Sequence, residues 1–210
     1  GELFFQNLSV PDTNFYSYTH PEYPFVNHHW GSGVVFFLIE RLAGFEGISL
    51  FFILVSLATF YLFFFLAAQY ASFQIAAPIS LVVIPVLISR YRISPEVFTY
   101  FLSAVYLVLL WNYKHGKLSL RWLFLLPLLE ALWINLHIYF FLGIILIGAF
   151  LFESLLVFLI RKDRNEKTRA MALSIALLLS IAAALVNPSG LTGALYPFNI
   201  MKEYELPVIE

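Results

Sequence analysis

Long apolar segments separated by short polar stretches make up most of this chain. Residues 47–89, for example, contain no Asp, Glu, Lys, Arg or His. An α-helix needs about 20 apolar residues to cross the hydrocarbon of a bilayer, and six segments reach or approach that length. The pattern predicts membrane-embedded helices at residues 47–71, 75–89, 95–113, 120–136, 138–160 and 169–186. The expected fold is therefore all-α, a polytopic transmembrane helical bundle of about six segments.

Two of the six segments are irregular. Residues 75–89 contain Pro78 and Pro85, which favours either a kinked span or half of a re-entrant pair, because proline removes a helical hydrogen bond. Residues 120–136 are short and contain Pro127.

The first 32 residues differ from the rest, because they are rich in Pro, Tyr, Asn and His. Pro11, Pro21 and Pro24 exclude a continuous helix, so we expect an ordered, aromatic-rich loop on the membrane face. Residues 33–45 have the apolar spacing of a short interfacial helix. We divide the chain into this loop and interfacial helix (residues 1–45), a transmembrane helical domain (46–187) and an extracytoplasmic tail (188–210).

The chain opens on Gly1, and its first methionine is Met171. No charged-then-apolar leader precedes the loop. We therefore expect the sequence to be part of a longer protein, with a further apolar span before Gly1 and more chain after the tail.

Composition agrees with a membrane protein and excludes several kinds of site. Hydrophobic residues make up 61% and charged residues 12%, against about 45–50% and 25% in soluble chains. The net charge of −1 provides no electrostatic basis for binding nucleic acid. The absence of cysteine excludes a thiolate nucleophile and a cysteine metal site.

Basic residues are distributed unequally between the loops. Residues 114–121 contain three and residues 161–169 contain five. The positive-inside rule places both loops in the cytoplasm. The N-terminal loop, the hairpin tip at 135–137 and the turn at 187–190 then lie together on the extracytoplasmic face. We expect a multi-pass protein of a bacterial inner membrane.

Five carboxylate and imidazole side chains lie within 18 residues of the N-terminal loop: Asp12, His20, Glu22, His28 and His29. Carboxylates and imidazoles perform general acid–base catalysis, and they also bind divalent metal ions. The spacing matches no recognised zinc signature, so a metal cofactor stays open. The alternative is an interfacial aromatic belt formed with Trp30 and the tyrosines.

Arg90 and Arg92 follow an apolar segment directly. Arginine binds phosphate through two parallel hydrogen bonds, which suits a lipid-linked phosphate at this depth. The alternative is that both side chains extend towards lipid headgroups.

Glu130 is placed about 15 Å along its segment, near the middle of the bilayer, and shares a helical face with His137. An acid at this depth is a candidate functional residue; the alternative is a neutral carboxyl hydrogen-bonded between packed helices. Asn135 and Asn187 lie in sequences typical of turns, at the face where a substrate could be held.

Several ordered motifs resemble those of a known group. They are PDTNFYSYT (residues 11–19), PFVNHHW (24–30), RISPEVF (92–98), LWINLH (132–137), LVNPSG (185–190) and EYELP (203–207). The set is similar to bacterial polytopic proteins described as glycosyltransferases of the GT-C fold, akin to dolichyl-phosphate-mannose:protein mannosyltransferases. Asn14 stands where that group usually has Asp, and His29 where it has Glu.

The resemblance implies transfer of a sugar from a polyprenyl-phosphate donor to an acceptor at the extracytoplasmic face. Asp12 or Glu22 would then act as catalytic base beside His28 and His29, and Arg90 or Arg92 would hold the donor phosphate. The remaining substrate-binding candidates are Trp30, Glu130, Asn135, His137 and Asn187. Partners would be membrane lipids and the lipid-linked sugar, with no nucleic acid.

Two alternatives stay open. A transporter or flippase would use the Pro-containing segments and Glu130, because transporters place their sites near the midplane on discontinuous helices. A non-enzymatic membrane assembly partner is the other. Depth distinguishes the transferase from the transporter, since a transferase gathers its polar groups at one face and a transporter gathers them at the centre.

Overall fold

The structure, a computed structural model, describes residues 1–14, 17–88 and 92–203. This part of the chain is helical, and its only strand-like pairing is an isolated antiparallel bridge between Thr13 and Pro24. The α-helices are α1 Glu2–Asn7, α2 Trp30–Ala68, α3 Phe73–Ile88, α4 Glu96–Lys114, α5 Leu125–Leu136, α6 Phe141–Arg161, α7 Arg164–Ala183 and α8 Gly190–Glu203. Short 3-10 helices, Leu120–Phe124 and Ile138–Phe140, precede α5 and α6. The all-α expectation is confirmed for these ranges.

Three helices of the described chain are long and apolar enough to cross a membrane: α2, α4 and the continuous stretch Ile138–Arg161. Helices also occupy the other three predicted places, but they do not meet that criterion. In α3 the apolar run is shorter and contains both prolines. In α7 the first turns carry charges, so the apolar part from Ala170 to Ala183 is only about 21 Å long. The membrane character is supported by three helices, and the six-segment arrangement stays a prediction.

A glycine divides α2 into two arms. Gly44 has φ 65° and ψ −168°, a backbone conformation that is essentially restricted to glycine. A Cβ placed there would meet no atom within 4 Å, so backbone conformation alone selects glycine. The break lies one residue before the end of the predicted interfacial helix (33–45), close to the start of the predicted first span at residue 47.

The core lies among α4, α5, α6 and α7. Its fully buried side chains include Tyr106, Leu126, Trp133 and Ile147. Outward-facing residues are also apolar, such as Leu57 on α2 and Val82 on α3, which are 58% and 74% exposed. Between helices in lipid the hydrophobic effect is weak, so close packing and interhelical hydrogen bonds hold the bundle together.

A tight turn joins α6 to α7. Lys162 ends α6 in the left-handed conformation, with φ 55°. The Asp163 carboxylate then caps α7 by accepting a hydrogen bond from the Asn165 amide at 2.8 Å. The two helices consequently pack side by side in antiparallel directions, with the basic loop at their shared end.

Candidate functional site

His137 occupies the hairpin tip between α5 and the following 3-10 turn. Its backbone is extended, with φ −157° and ψ 147°, so the chain leaves the helix at this residue. Its side chain is buried, and Nδ1 lies 2.9 Å from the Thr99 hydroxyl of α4. That hydroxyl also accepts a hydrogen bond from the Trp133 indole at 3.1 Å. Donation from Thr99 to Nδ1 would satisfy both groups and leave the His137 proton on Nε2.

The N-terminal loop brings two more imidazoles to this tip. His29 immediately precedes α2, and its ring stacks on that of His137, with centroids 5.6 Å apart. The His28 and His29 ring centroids are 3.7 Å apart. The histidine cluster, defined as His28, His29 and His137, therefore joins the loop to the hairpin tip. Both parts were predicted to lie on the same face.

The histidine cluster lies outside the spanning helices, and burial of its three side chains favours their neutral form. Burial lowers the pKa of His29 to about 3, with smaller contributions from His28 and His137. Burial lowers the pKa of His137 to about 4, with Glu96 opposing the shift and His28 adding to it. The pKa of His28 is also lowered by burial, against a hydrogen bond to the Val26 carbonyl. Near neutral pH each ring can therefore donate one hydrogen bond and accept another.

A cavity of about 270 Å³ lies beside the cluster and is lined in part by His29. The other side chains that face it are uncharged. Leu3, Val10 and Pro11 are aliphatic, and the rest provide amide, hydroxyl and aromatic groups: Thr13, Asn14, Asn27, Phe4, Phe25 and Trp30. His29 Nδ1 is buried and has no hydrogen-bond partner among the described residues. A buried polar atom without a partner is unusual and is a place where a ligand group or water can bind.

Trp30 and Asn135 connect α2 to the tip. The Trp30 indole donates to the Asn135 amide oxygen at 2.7 Å. The Asn135 nitrogen donates to the carbonyls of Ala131 and Val186, both at 2.7 Å. Beside them, Ser32 donates to the Leu136 carbonyl. Asn135 thus joins α2, α5 and the end of α7, and its amide has no unused hydrogen on nitrogen.

Asn187 shapes the turn between α7 and α8. Its oxygen accepts from the Ser189 amide at 2.9 Å, and its nitrogen donates to the carbonyls of Ala184 and Gly190. A Cβ on Gly193 would overlap the Asn187 side chain, so glycine permits the close approach of α8. Asn187 forms the turn contacts that the sequence favoured. Asn135 instead lies in the last turn of α5, so the expectation of a turn is wrong for Asn135.

Glu130 lies one helical turn below Trp133 and is completely buried. The Tyr106 hydroxyl of α4 lies 2.6 Å from Glu130 Oε2 and 2.8 Å from the Leu126 carbonyl. A phenol has only one proton, so both contacts are hydrogen bonds if a protonated Glu130 donates to Tyr106 and Tyr106 donates to Leu126. Within the described part of the chain no cation forms an ion pair with Glu130, which agrees with a neutral carboxyl.

Gly143 of α6 completes the surroundings of this carboxyl. A Cβ there would overlap Glu130 Oε2 and lie 2.9 Å from the Tyr106 ring. The Glu130 contact, defined as Glu130, Tyr106 and Gly143, therefore joins three helices.

Three residues of this region were not predicted: Thr99, Tyr106 and Trp133. Thr99 and Tyr106 are seven residues apart on α4, as Glu130 and His137 are at the end of α5. Residues seven apart share a helical face. The matching intervals place Tyr106 of α4 opposite Glu130 of α5, and Thr99 opposite His137, the residue that follows α5. The sequence contained this signal.

The other predicted residues are not gathered at the cluster. Asp12, Glu22 and Arg92 are exposed, and their side chains form no hydrogen bond or ion pair within the described ranges. Arg90 lies outside the described residues. Residues 12–14 pair instead through their backbone with 23–25, as in the hydrogen bond from the Phe25 amide to the Asp12 carbonyl.

No three His, Asp or Glu side chains in residues 1–14, 17–88 and 92–203 are grouped so that they could hold a metal ion. Comparison with protein-family models, with curated proteins and with solved structures gave no match to this chain. The geometry therefore defines a class only coarsely: a helical membrane protein with a neutral, histidine-containing polar cluster at one end of its bundle.

Proposed function

We propose that this chain belongs to an integral membrane glycosyltransferase that moves a sugar from a polyprenyl-phosphate donor to an acceptor at the extracytoplasmic face. The proposal rests on the place along the bundle where polar groups are free to bind a ligand. His29 has an unpartnered nitrogen and lines a 270 Å³ cavity at the end of the bundle. Glu130 Oε1 is also buried without a partner among the described residues, but Glu130 is completely buried and enclosed by α4, α5 and α6.

The lining of the cavity is chemically suited to a neutral hydroxylated ligand. Amides, a hydroxyl and neutral imidazole exchange hydrogen bonds with sugar hydroxyls. The rings of Phe4 and Trp30, with centroids 5.3 Å apart, provide flat apolar surface for the carbon face of a sugar ring. None of the described side chains that line the cavity carries a charge near neutral pH.

The proposed roles follow from the ionisation of each group. Because the pKa of His29 is near 3, this ring accepts a hydrogen bond from the acceptor hydroxyl but does not become protonated. His29 therefore orients the hydroxyl. The base is a carboxylate, Asp12 or Glu22, which lie in the same loop. Arg92 or Arg90 holds the departing phosphate, because arginine pairs with phosphate through two hydrogen bonds.

The test compares two histidines of one loop in the complete protein, reconstituted in vesicles with a radiolabelled polyprenyl-phosphate sugar. His29→Asn should lower sugar transfer about tenfold, the effect of one lost hydrogen bond to substrate. His20→Asn is the matched control, since His20 is exposed, and should transfer at the wild-type rate. Circular dichroism should show equal helix content in both variants.

Two results would contradict the proposal. One is wild-type transfer by His29→Asn, Asp12→Asn and Glu22→Gln alike. The other is a wild-type protein that transfers no sugar but moves a polar solute or a lipid-linked sugar across the vesicle membrane, which would establish the transport alternative.

A further inference from the structure

A second concave surface lies at the opposite end of the bundle, near the basic loops. This groove, of about 200 Å³, runs between the 3-10 turn Leu120–Phe124 and α7. Its lining is almost wholly apolar and includes Leu120, Phe124, Met171 and Ile175. Each of these four is 48–63% exposed. The groove is separate from the histidine cluster and from its cavity.

One end of the groove is polar. Thr168, also in the lining, donates its hydroxyl to the Arg164 carbonyl at 3.1 Å. Arg164, Thr168, Met171 and Ile175 follow at intervals of three or four residues, so they share one face of α7. Arg121 directly follows Leu120 in the chain. Two guanidinium groups are thus carried by the two elements that form the groove.

Arg121 and Arg164 have no ion-pair partner among the described residues, unlike several neighbouring cations. Lys114 pairs with Glu153 and Arg169 with Glu166, while Lys117 bonds to Gln69 and lies over the Tyr70 ring. Neither Arg121 nor Arg164 forms an ion pair or a side-chain hydrogen bond in the ranges that the structure describes. Two arginines without an ion-pair partner, on the two elements that line an apolar groove, are complementary to a ligand with an anionic head and an apolar tail.

We propose that this groove binds one acyl chain of an anionic phospholipid from the cytoplasmic leaflet, with its phosphate held by Arg121 and Arg164. Basic pockets on the cytoplasmic side of membrane proteins bind anionic headgroups, and the guanidinium fork matches a phosphate. The inference is independent of the proposed transferase, because it uses the other end of the bundle and different residues.

The test measures binding of dioleoylphosphatidylglycerol and dioleoylphosphatidylcholine to the purified complete protein by native mass spectrometry. The phosphatidylglycerol should bind more tightly, and the Arg121→Gln/Arg164→Gln variant should lose about tenfold or more of that affinity. Arg161→Gln is the matched control, because it removes one charge from the same end of the bundle but belongs to α6, which contributes no residue to the groove lining. Arg121→Lys/Arg164→Lys should keep part of the affinity, since charge remains without the planar fork.

A second variant tests the acyl chain. Ile175→Trp should fill the groove and weaken binding of the dioleoyl lipid, while dihexanoylphosphatidylglycerol is less affected. Equal binding of the two headgroups, or equal losses in the double variant and in Arg161→Gln, would overturn the proposal. So would a change of oligomeric state in the groove variants with lipid binding unaltered, which would make the groove an interface between two copies.

Discussion

Glu130 illustrates how a carboxyl group is accommodated among apolar helices. It lacks a cation within the described chain, and its hydrogen-bond partner is the Tyr106 phenol on the neighbouring helix. Gly143 leaves room for it on the third side. A neutral acid needs one donor–acceptor partner, whereas a charged one would need a counterion at considerable cost. The contact therefore makes Glu130 a residue that joins helices.

Substitution of Glu130 should separate size from charge. Glu130→Gln keeps the volume and a polar hydrogen, so the protein should fold and retain most activity. Glu130→Lys places an unpaired cation in the bundle, which costs roughly 3 kcal/mol or more, and should not fold. Thermal unfolding in nanodiscs and sugar transfer are the measurements. Solute uptake that depends on a proton gradient and disappears in Glu130→Gln would favour transport.

Tyr106→Phe provides the matched control for the same contact. It removes only the phenolic oxygen and should lower the free energy of unfolding by about 0.6–1.7 kcal/mol, the range for hydrogen bonds between membrane helices. If Tyr106→Phe and Glu130→Gln were additive in a double-mutant cycle, the two side chains would not be coupled.

The histidine cluster should make stability depend on pH. His29 has a pKa near 3 in the folded protein against an ordinary value of 6.5, so between these values the unfolded chain binds more protons. Stability is then complete above about pH 6.5 and falls as pH decreases towards 3. His28 and His137 shift in the same direction, while Glu96 opposes the shift at His137.

The measurement is the unfolding midpoint at pH 7.5 and pH 5.0. Wild type should lose stability on acidification, and His29→Asn should lose less. His20→Asn, an exposed histidine of the same loop, should behave as wild type. An equal loss in all three proteins would assign the effect to groups outside the cluster.

At the scale of the elements, the break at Gly44 depends on one backbone conformation. Gly44→Ala forces a side chain into a φ/ψ region essentially closed to it, which costs on the order of 1–3 kcal/mol. Gly148→Ala is the control, because Gly148 lies within α6 and its added Cβ would likewise meet no atom within 4 Å. There alanine should be neutral or slightly stabilising. Unfolding midpoints in nanodiscs should differ accordingly, and equal midpoints would show that the break is not a constraint.

Element positions followed largely from sequence, whereas their ends depended on local hydrogen bonds. The last predicted segment was residues 169–186, but α7 begins at Arg164 because Asp163 caps it. Asp163 and Glu166 have the spacing of a capping box, so the sequence of that loop contained a signal for the first residue of α7. The break at Gly44 was implied by two adjacent predicted helices, but nothing in the sequence distinguished Gly44 from Gly47 as its position.

At the scale of the whole molecule, topology can be tested directly, because the chain has no cysteine. Cysteines introduced at Ser17 and Asn165 should react with a membrane-impermeant maleimide from opposite sides of sealed vesicles, with position 17 outside. A cysteine at Gly148, within α6, should remain unlabelled. Labelling of positions 17 and 165 from the same side would contradict the orientation inferred from basic residues, and with it the cytoplasmic lipid groove.

The sequence predicted which loops share a face, and His28, His29, Asn135, His137 and Asn187 do lie near one another. It could not predict that Asp12 and Glu22 remain exposed, because pairing of residues 12–14 with 23–25 depends on backbone hydrogen bonds. It likewise could not identify Tyr106 as the partner of Glu130, since tyrosines are numerous and the facing of two helices is a property of the assembled bundle.

Trp133 determines whether protons can pass between two hydrogen-bonded pairs of the bundle. It stands between the Glu130–Tyr106 pair and the Thr99–His137 pair, with its ring 5.4 Å from that of Tyr106 and its indole nitrogen bonded to Thr99. An indole N–H donates a hydrogen bond but cannot accept one, so a Grotthuss relay of protons from the histidine cluster to Glu130 is interrupted at this residue. In a membrane that maintains a proton gradient, Trp133 would therefore prevent the bundle from conducting protons through its buried acid.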